Sequence, residues 1–151
     1  MTELKPIDAI QDEIIEEFSI LGNDMESTIF YIMELGQQLP ELEKEHMVEE
    51  NTVKGCQSKV WLVAELKDNQ LYFKADSNTE ITKGLISLLI RTLSGQKPDA
   101  IINSNLYFID KIGMHRVIGS QRSNGFAAMI KQMKLYAIAY KSKMGVSTKN
   151  E

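Results

Sequence analysis

Apolar residues recur at Ile7, Ile10, Ile14 and Phe18, with Asp12, Glu13, Glu16 and Glu17 between them. Steps of three and four residues trace one face of a helix, which predicts an amphipathic helix over roughly residues 7 to 18. A second helical pattern begins near Glu26 and is carried by Ile29, Ile32, Met33 and Leu35. It is expected to stop between Gly36 and Pro40, since glycine and proline both oppose helix continuation, and the two segments together suggest a helical hairpin. The period then changes. Val60, Leu62, Ala64 and Leu66 alternate with Lys59, Trp61, Val63 and Glu65, and after Asp68-Asn69 the residues Leu71, Phe73 and Ala75 alternate with Tyr72, Lys74 and Asp76. A period of two with turn residues between the runs predicts an antiparallel hairpin. A shorter strand is expected over about Val48 to Val53.

Ser77-Asn78-Thr79-Glu80 matches a capping box, and Ile81, Leu85, Leu88 and Leu89 continue at helical spacing until Gly95. Pro98 to Asn103 and Leu106 to Ile112 read as short helical turns. The last long element is expected from about Ser123, with Phe126, Met129, Ile130, Met133, Ala137 and Tyr140 on one apolar stripe before Gly145, and with a frayed tail from about residue 146. Helices, then strands, then helices make the class α+β: a small antiparallel sheet of about three strands packed with helices, in a single domain over residues 1 to 151.

Composition narrows the function. The chain has 43% apolar and 25% charged residues, near globular averages, which argues against disorder or a fibrous repeat. Its net charge of −4, with basic residues scattered among acidic ones, leaves no electrostatic footprint for nucleic acid. No apolar run approaches bilayer length and the first residues lack the basic and apolar regions of a leader, so the cytoplasm is the expected address and no membrane is involved. There is one cysteine, Cys56. An intrachain disulfide and a thiolate-rich metal site within one chain are thereby excluded, and an Fe–S scaffold, whose cluster takes several thiolate ligands, is disfavoured. His46 and His115 show no metal-ligand spacing, and Glu41, Glu43, Glu45, Glu49 and Glu50 read as a solvated acidic stretch.

Cys56 therefore either packs or works alone. A free cysteine ordinarily behaves as a small buried hydrophobe. This one lies in Lys54-Gly55-Cys56-Gln57-Ser58, between two expected strands, where a loop can supply backbone N–H groups and access, and where Gly55 permits unusual backbone angles. Gln57 and Ser58 have the chemistry to hydrogen-bond such a loop, although they are ordinary turn residues. Trp61 is expected first to fill the core and secondly to shield the loop.

The run Gly55-Cys56-Gln57-Ser58-Lys59-Val60-Trp61 resembles the GCQSxVW signature of the SufE family of cysteine-desulfurase partners. The resemblance extends to Glu34-Leu35-Gly36-Gln37-Gln38-Leu39-Pro40 (ELGxxLP), to Asp76-Ser77-Asn78 with Lys83-Gly84-Leu85-Ile86, and to Arg122-Ser123-Asn124-Gly125-Phe126 with Ala128-Met129-Ile130. It covers about Ile7 to Tyr140. The chain departs from the pattern at Gly119-Ser120-Gln121, where the family usually has a proline-containing segment, and at Phe126, where it usually has leucine.

What the resemblance implies is a SufE/IscU-like fold and a sulfur carrier rather than an enzyme. Cys56 would take persulfide sulfur from a SufS-like cysteine desulfurase, stimulate that enzyme, and deliver the sulfur toward a SufBCD-like Fe–S scaffold. Pyridoxal phosphate would belong to the desulfurase, with no cofactor or metal resident in this chain, and a homodimer stays open. Arg122 is the candidate for electrostatic help, by ordering the loop or favouring an anionic sulfur. Two rival readings use the same lone thiol: a thiol redox sensor, and a cysteine hydrolase that would need His46 or His115 beside Cys56.

Overall fold

The computed structural model describes residues 5–149, with side chains described through residue 144. The chain order is α1 (Ile7–Ser19), α2 (Met25–Gln37), two 3-10 turns (Lys44–His46 and Glu49–Asn51), β1 (Val60–Lys67), β2 (Gln70–Ser77), α3 (Glu80–Leu93), α4 (Pro98–Ile102), α5 (Phe108–Ile112) and α6 (Met114–Lys149). The α+β class is as expected.

Alternation makes the hairpin. Val60 and Leu62 of β1 face the core with Leu71, Phe73 and Ala75 of β2, paired antiparallel in the register Leu62↔Ala75 and Leu66↔Leu71. Asp68 and Asn69 close the hairpin at φ 54 and 65, the two left-handed positions of a twist-matched two-residue turn.

Among the described residues the sheet has two strands, not about three. The expected strand at Val48 to Val53 is mostly a 3-10 turn, and only one bridge, Thr52↔Trp61, reaches β1. Further along that edge, the hydroxyls of Tyr136 and Tyr140 of α6 donate to the carbonyls of Leu62 and Ala64, each at 3.1 Å. Helix α6 thus satisfies acceptors that a third strand would have used.

The first two helices are also arranged differently from a simple hairpin. They meet where the Phe18 and Tyr31 rings stack edge to face at 5.1 Å, but α2 packs most extensively on α3. Two glycines allow this: a Cβ on Gly84 would lie 2.0 Å from the Ile32 carbonyl oxygen, and one on Gly36 would lie 2.6 Å from the Gly84 nitrogen. Close backbone approach is what both positions require.

The capping box does not form. The N-cap of α3 is Thr79, while Ser77, still paired in β2, donates its hydroxyl to the Lys59 carbonyl at 2.8 Å. The last helix begins earlier than Ser123, because Met114, Val117 and Ile118 are buried and helical. It breaks at Gly119 (φ 82, ψ 171), a backbone region essentially open only to glycine, and resumes toward Arg122. It then continues through Gly145 to Lys149, so neither the stop at Gly145 nor fraying from residue 146 is seen up to there; Asn150 and Glu151 lie outside the described residues. No helix among the described residues is long and apolar enough to cross a membrane.

Candidate functional site

The loop from Lys54 to Ser58 is held at both ends by the sheet. Val53 donates its N–H to the Val60 carbonyl at 2.8 Å, and at the far end Lys59 N–H meets Asn78 Oδ1 at 3.0 Å while Asn78 N–H returns to the Lys59 carbonyl at 3.2 Å. Between these anchors the chain must reverse. Gly55, at φ 96, makes that turn, and a Cβ there would already be 3.3 Å from the Ala128 side chain on α6. The loop is therefore pressed against the last helix.

The Cys56 side chain points toward that helix. Its thiol donates to the Gly125 carbonyl at 3.4 Å and is about half-buried. Burial pushes the Cys56 thiol above the ordinary thiol range, because desolvation disfavours the thiolate. Beside it is a cavity of about 120 Å³ lined by Cys56, Gln57 and Ser58 from the loop, Thr82 and Leu85 from α3, and Gln121, Arg122, Gly125 and Met129 from α6. That is well above the roughly 10–15 Å³ needed to admit one water molecule.

Arg122 lies at this cavity, as the sequence suggested, and the break at Gly119 is what brings it there: a new helical segment starts at the break, and its first turn delivers the arginine to the loop. Its Nη1 donates to the Ile118 carbonyl at 3.4 Å, and it makes no salt bridge among the described residues, so it does not order the loop through a carboxylate. Gln57 and Ser58 line the cavity. Trp61 does not: it is half-buried, sits outside the core cluster and bridges Thr52, so neither expected role, core filling or shielding, is met. Alternation explains it, since Val60 and Leu62 point inward and Trp61 must point out. Leu85 and Met129 supply the apolar wall instead.

Thr82, Leu85, Gln121, Gly125 and Met129 were not singled out as site residues from the sequence. Leu85 and Met129 carried the periodicity of a core face and stood in stretches that resemble the family, but neither signal marked them as lining the site. Neither histidine lines the cavity; His46 faces Glu43 at 3.9 Å and His115 faces Asp110 at 3.6 Å. The acidic stretch is exposed, with Glu43 paired to Lys74 and Glu49 to Lys54.

A helix-flanked β-hairpin that presents one cysteine on a glycine turn, closed against a final helix, defines a small thiol-bearing α+β protein. The chain belongs to the SufE family, described as an Fe-S metabolism associated domain, whose pattern matches residues 12–137. A SufE-like protein of Rhizobium etli is 38% identical over 128 residues, covering 82% of this chain and 86% of its own length. SufE-like proteins of Rhizobium meliloti and Synechocystis are 35% and 31% identical, over 82% and 85% of this chain and 91% and 80% of theirs. The solution structure of a hypothetical protein from Thermus thermophilus superimposes with a TM-score of 0.72 at 18% identity, covering 88% of this chain and 96% of that one, which shows the shared fold. Membership places the chain in Fe–S sulfur metabolism.

Proposed function

We propose that this chain is a sulfur carrier: Cys56 accepts sulfane sulfur from the cysteine persulfide of a desulfurase and passes it on for Fe–S cluster assembly. The observation that carries the reading is the thiol turned inward, on a loop with a glycine hinge, next to a cavity with space for more atoms than the thiol itself. A persulfide adds one sulfur about 2.05 Å beyond Sγ, which this space accommodates.

The transfer balances without an external oxidant. Cys56 loses its proton, and its thiolate attacks the outer sulfur of the donor's persulfide. The donor's S–S bond breaks as the Cys56 Sγ–S bond forms, and the donor cysteine leaves as a thiolate that takes up a proton. Because burial raises the Cys56 pKa in the free protein, attack requires the loop to swing out, where the thiolate is better solvated. Binding of the desulfurase would favour that outward state, and the inward state would then shield the loaded sulfur from small thiols. Pyridoxal phosphate is the desulfurase's own, and the sulfur's destination would be a separate scaffold.

The same burial disfavours a peroxide sensor, whose cysteine gains from a low pKa and open access. The absence of a histidine from the cavity lining removes the base that a cysteine hydrolase needs. The test is to incubate the chain with cysteine desulfurases, cysteine and pyridoxal phosphate, and weigh it intact. Wild type should gain one sulfur atom and raise cysteine turnover, and Cys56→Ser should do neither. Full stimulation by Cys56→Ser, or no mass gain with any desulfurase, overturns the carrier reading.

A further inference from the structure

Three hydroxyls meet beside the Cys56 cavity, Ser58 and Thr82 lining it and Thr79 on the exposed side. Thr79 Oγ1 donates to Thr82 Oγ1 at 2.7 Å, Thr82 Oγ1 donates to Ser58 Oγ at 3.3 Å, and Ser58 and Thr79 lie 3.2 Å apart with either able to donate. Each hydroxyl has one proton. With the Thr79 proton on Thr82 and the Thr82 proton on Ser58, the third link uses the Ser58 proton, and the ring is closed. Its links are unequal. Hydroxyl–hydroxyl bonds favour about 2.7–2.8 Å, so the Thr79–Thr82 link is well made while the two that use the Ser58 and Thr82 protons are long.

The two weakly used protons belong to the two residues that line the cavity. Thr82 is 5% exposed, so bulk water does not compete for its hydroxyl. The resting thiol does not use them either, since it donates to the Gly125 carbonyl. The cavity therefore holds two donors that can be re-aimed by rotating a hydroxyl, with no heavy atom moving. They stand near the N-terminus of α3, where the peptide dipoles also favour negative charge.

Resting on the carrier reading above, we propose that Ser58 and Thr82 are positioning residues for the loaded state: their hydroxyls turn into the cavity and hydrogen-bond the terminal sulfur of the Cys56 persulfide as an anion. This assigns the hydroxyl pair a purpose that packing alone does not explain. An anionic terminal sulfur repels an incoming thiolate, so holding it charged and enclosed slows its discharge by small thiols. Arg122 is the cation facing the same cavity from α6, while Glu49, Lys54 and Lys59 face the outer side of the loop. The hydroxyls act beside Arg122 as short-range donors.

The test loads the persulfide chemically, so that it does not depend on any desulfurase. Cys56 is first converted to a mixed disulfide with an aromatic thiol. Hydrosulfide then attacks Sγ, the aromatic thiolate leaves, and the Cys56 persulfide remains. Its apparent pKa is read from the pH dependence of alkylation of the outer sulfur, and its half-life from exposure to glutathione. Thr82→Val and Ser58→Ala should each raise the apparent pKa by about one unit, the size expected for losing one hydrogen bond to an anion, and shorten the half-life several-fold. Thr82→Ser should restore both.

A structural role alone would lower the melting temperature without moving the persulfide pKa. Should Thr82→Val fold poorly, Ser58→Ala, on the loop, and Thr82→Ser, with the hydroxyl retained, still decide the matter. A persulfide pKa within a few tenths of wild type in Ser58→Ala overturns the assignment. So does a Thr82→Ser protein that behaves like Thr82→Val. Failure of desulfurase loading with a normal hydroxyl effect on the chemical persulfide would instead indict the carrier reading.

Discussion

The Cys56 thiol and the Gly125 carbonyl oxygen lie 3.4 Å apart, and no side chain separates them because residue 125 has none. A Cβ on Gly125 would stand 3.4 Å from Sγ, 3.7 Å from the Cys56 Cα and 3.8 Å from its Cβ. The inward position of the thiol therefore depends on a residue 69 positions away in sequence.

Those distances separate alanine from larger residues. Gly125→Ala reaches only ordinary contact, so it should fold well, and removing a helical glycine should add stability of up to about 1 kcal/mol. Gly125→Leu cannot fit without moving the loop. Alkylation of Cys56 in the free protein should be near wild type in the first and several-fold faster in the second, as read by intact mass over time. Equal rates in all three proteins would mean that this contact does not hold the thiol inward.

The raised Cys56 pKa makes a prediction about alkaline stability. The folded protein holds the thiol proton more tightly than the unfolded chain does. The stability linked to it is fully present below the ordinary thiol pKa and is lost as pH rises through the higher folded value. Wild type should therefore lose more stability than Cys56→Ser between neutral pH and the alkaline side of the thiol range. Parallel melting curves for the two proteins across that window would show that the thiol is not desolvated.

Gly119 should be intolerant of any side chain. Its φ of 82 with ψ 171 costs other residues about 1–3 kcal/mol, and nothing lies within 4 Å of a Cβ there, so the penalty is purely conformational. Gly119→Ala should shift the urea midpoint down accordingly. Because the break also orients Arg122, the same variant should slow sulfur acceptance beyond its effect on folding. Unchanged stability would mean that the two helical segments join in another way.

The α2–α3 crossing gives the harshest substitution. A methyl on Gly84 would sit 2.0 Å from the Ile32 carbonyl oxygen, a backbone atom that cannot turn aside. Gly84→Ala should destabilise the chain by about 3 kcal/mol or more, whereas Gly22→Ala, open on all sides but at φ 64, should cost only about 1 kcal/mol. Denaturation midpoints compare the two directly. Similar losses would mean that α2 and α3 separate without penalty.

Local rules were sufficient wherever a residue's environment was set by its near neighbours. The period of two placed β1 and β2, Asp68-Asn69 placed their turn, and the stripe from Phe126 to Tyr140 placed the buried face of α6. Cys56 stood out because there was no second thiol and because the residues from Gly55 to Trp61 form a continuous motif. Gly36 and Gly84 were visible inside two such motifs, but as separate glycines. That they serve one helix crossing is a tertiary fact, since nothing local says which helix α2 will choose.

The misplaced elements have the same cause. Ser77 had the chemistry of an N-cap, yet β2 keeps it in the sheet and gives its hydroxyl to Lys59. Val48 to Val53 had the composition of a strand, yet Tyr136 and Tyr140 occupy part of the edge it would have joined. The sequence by itself determined the lone cysteine, the glycine beside it and most of the elements, because these are properties of short segments. Only the tertiary structure decided that Gly125 receives the thiol, that Trp61 faces away, and that Ser58 and Thr82 share the cavity with Arg122. Those pairings arise where a loop, a helix start and a helix break from three distant segments converge, and helical or strand periodicity carries no information about such meetings.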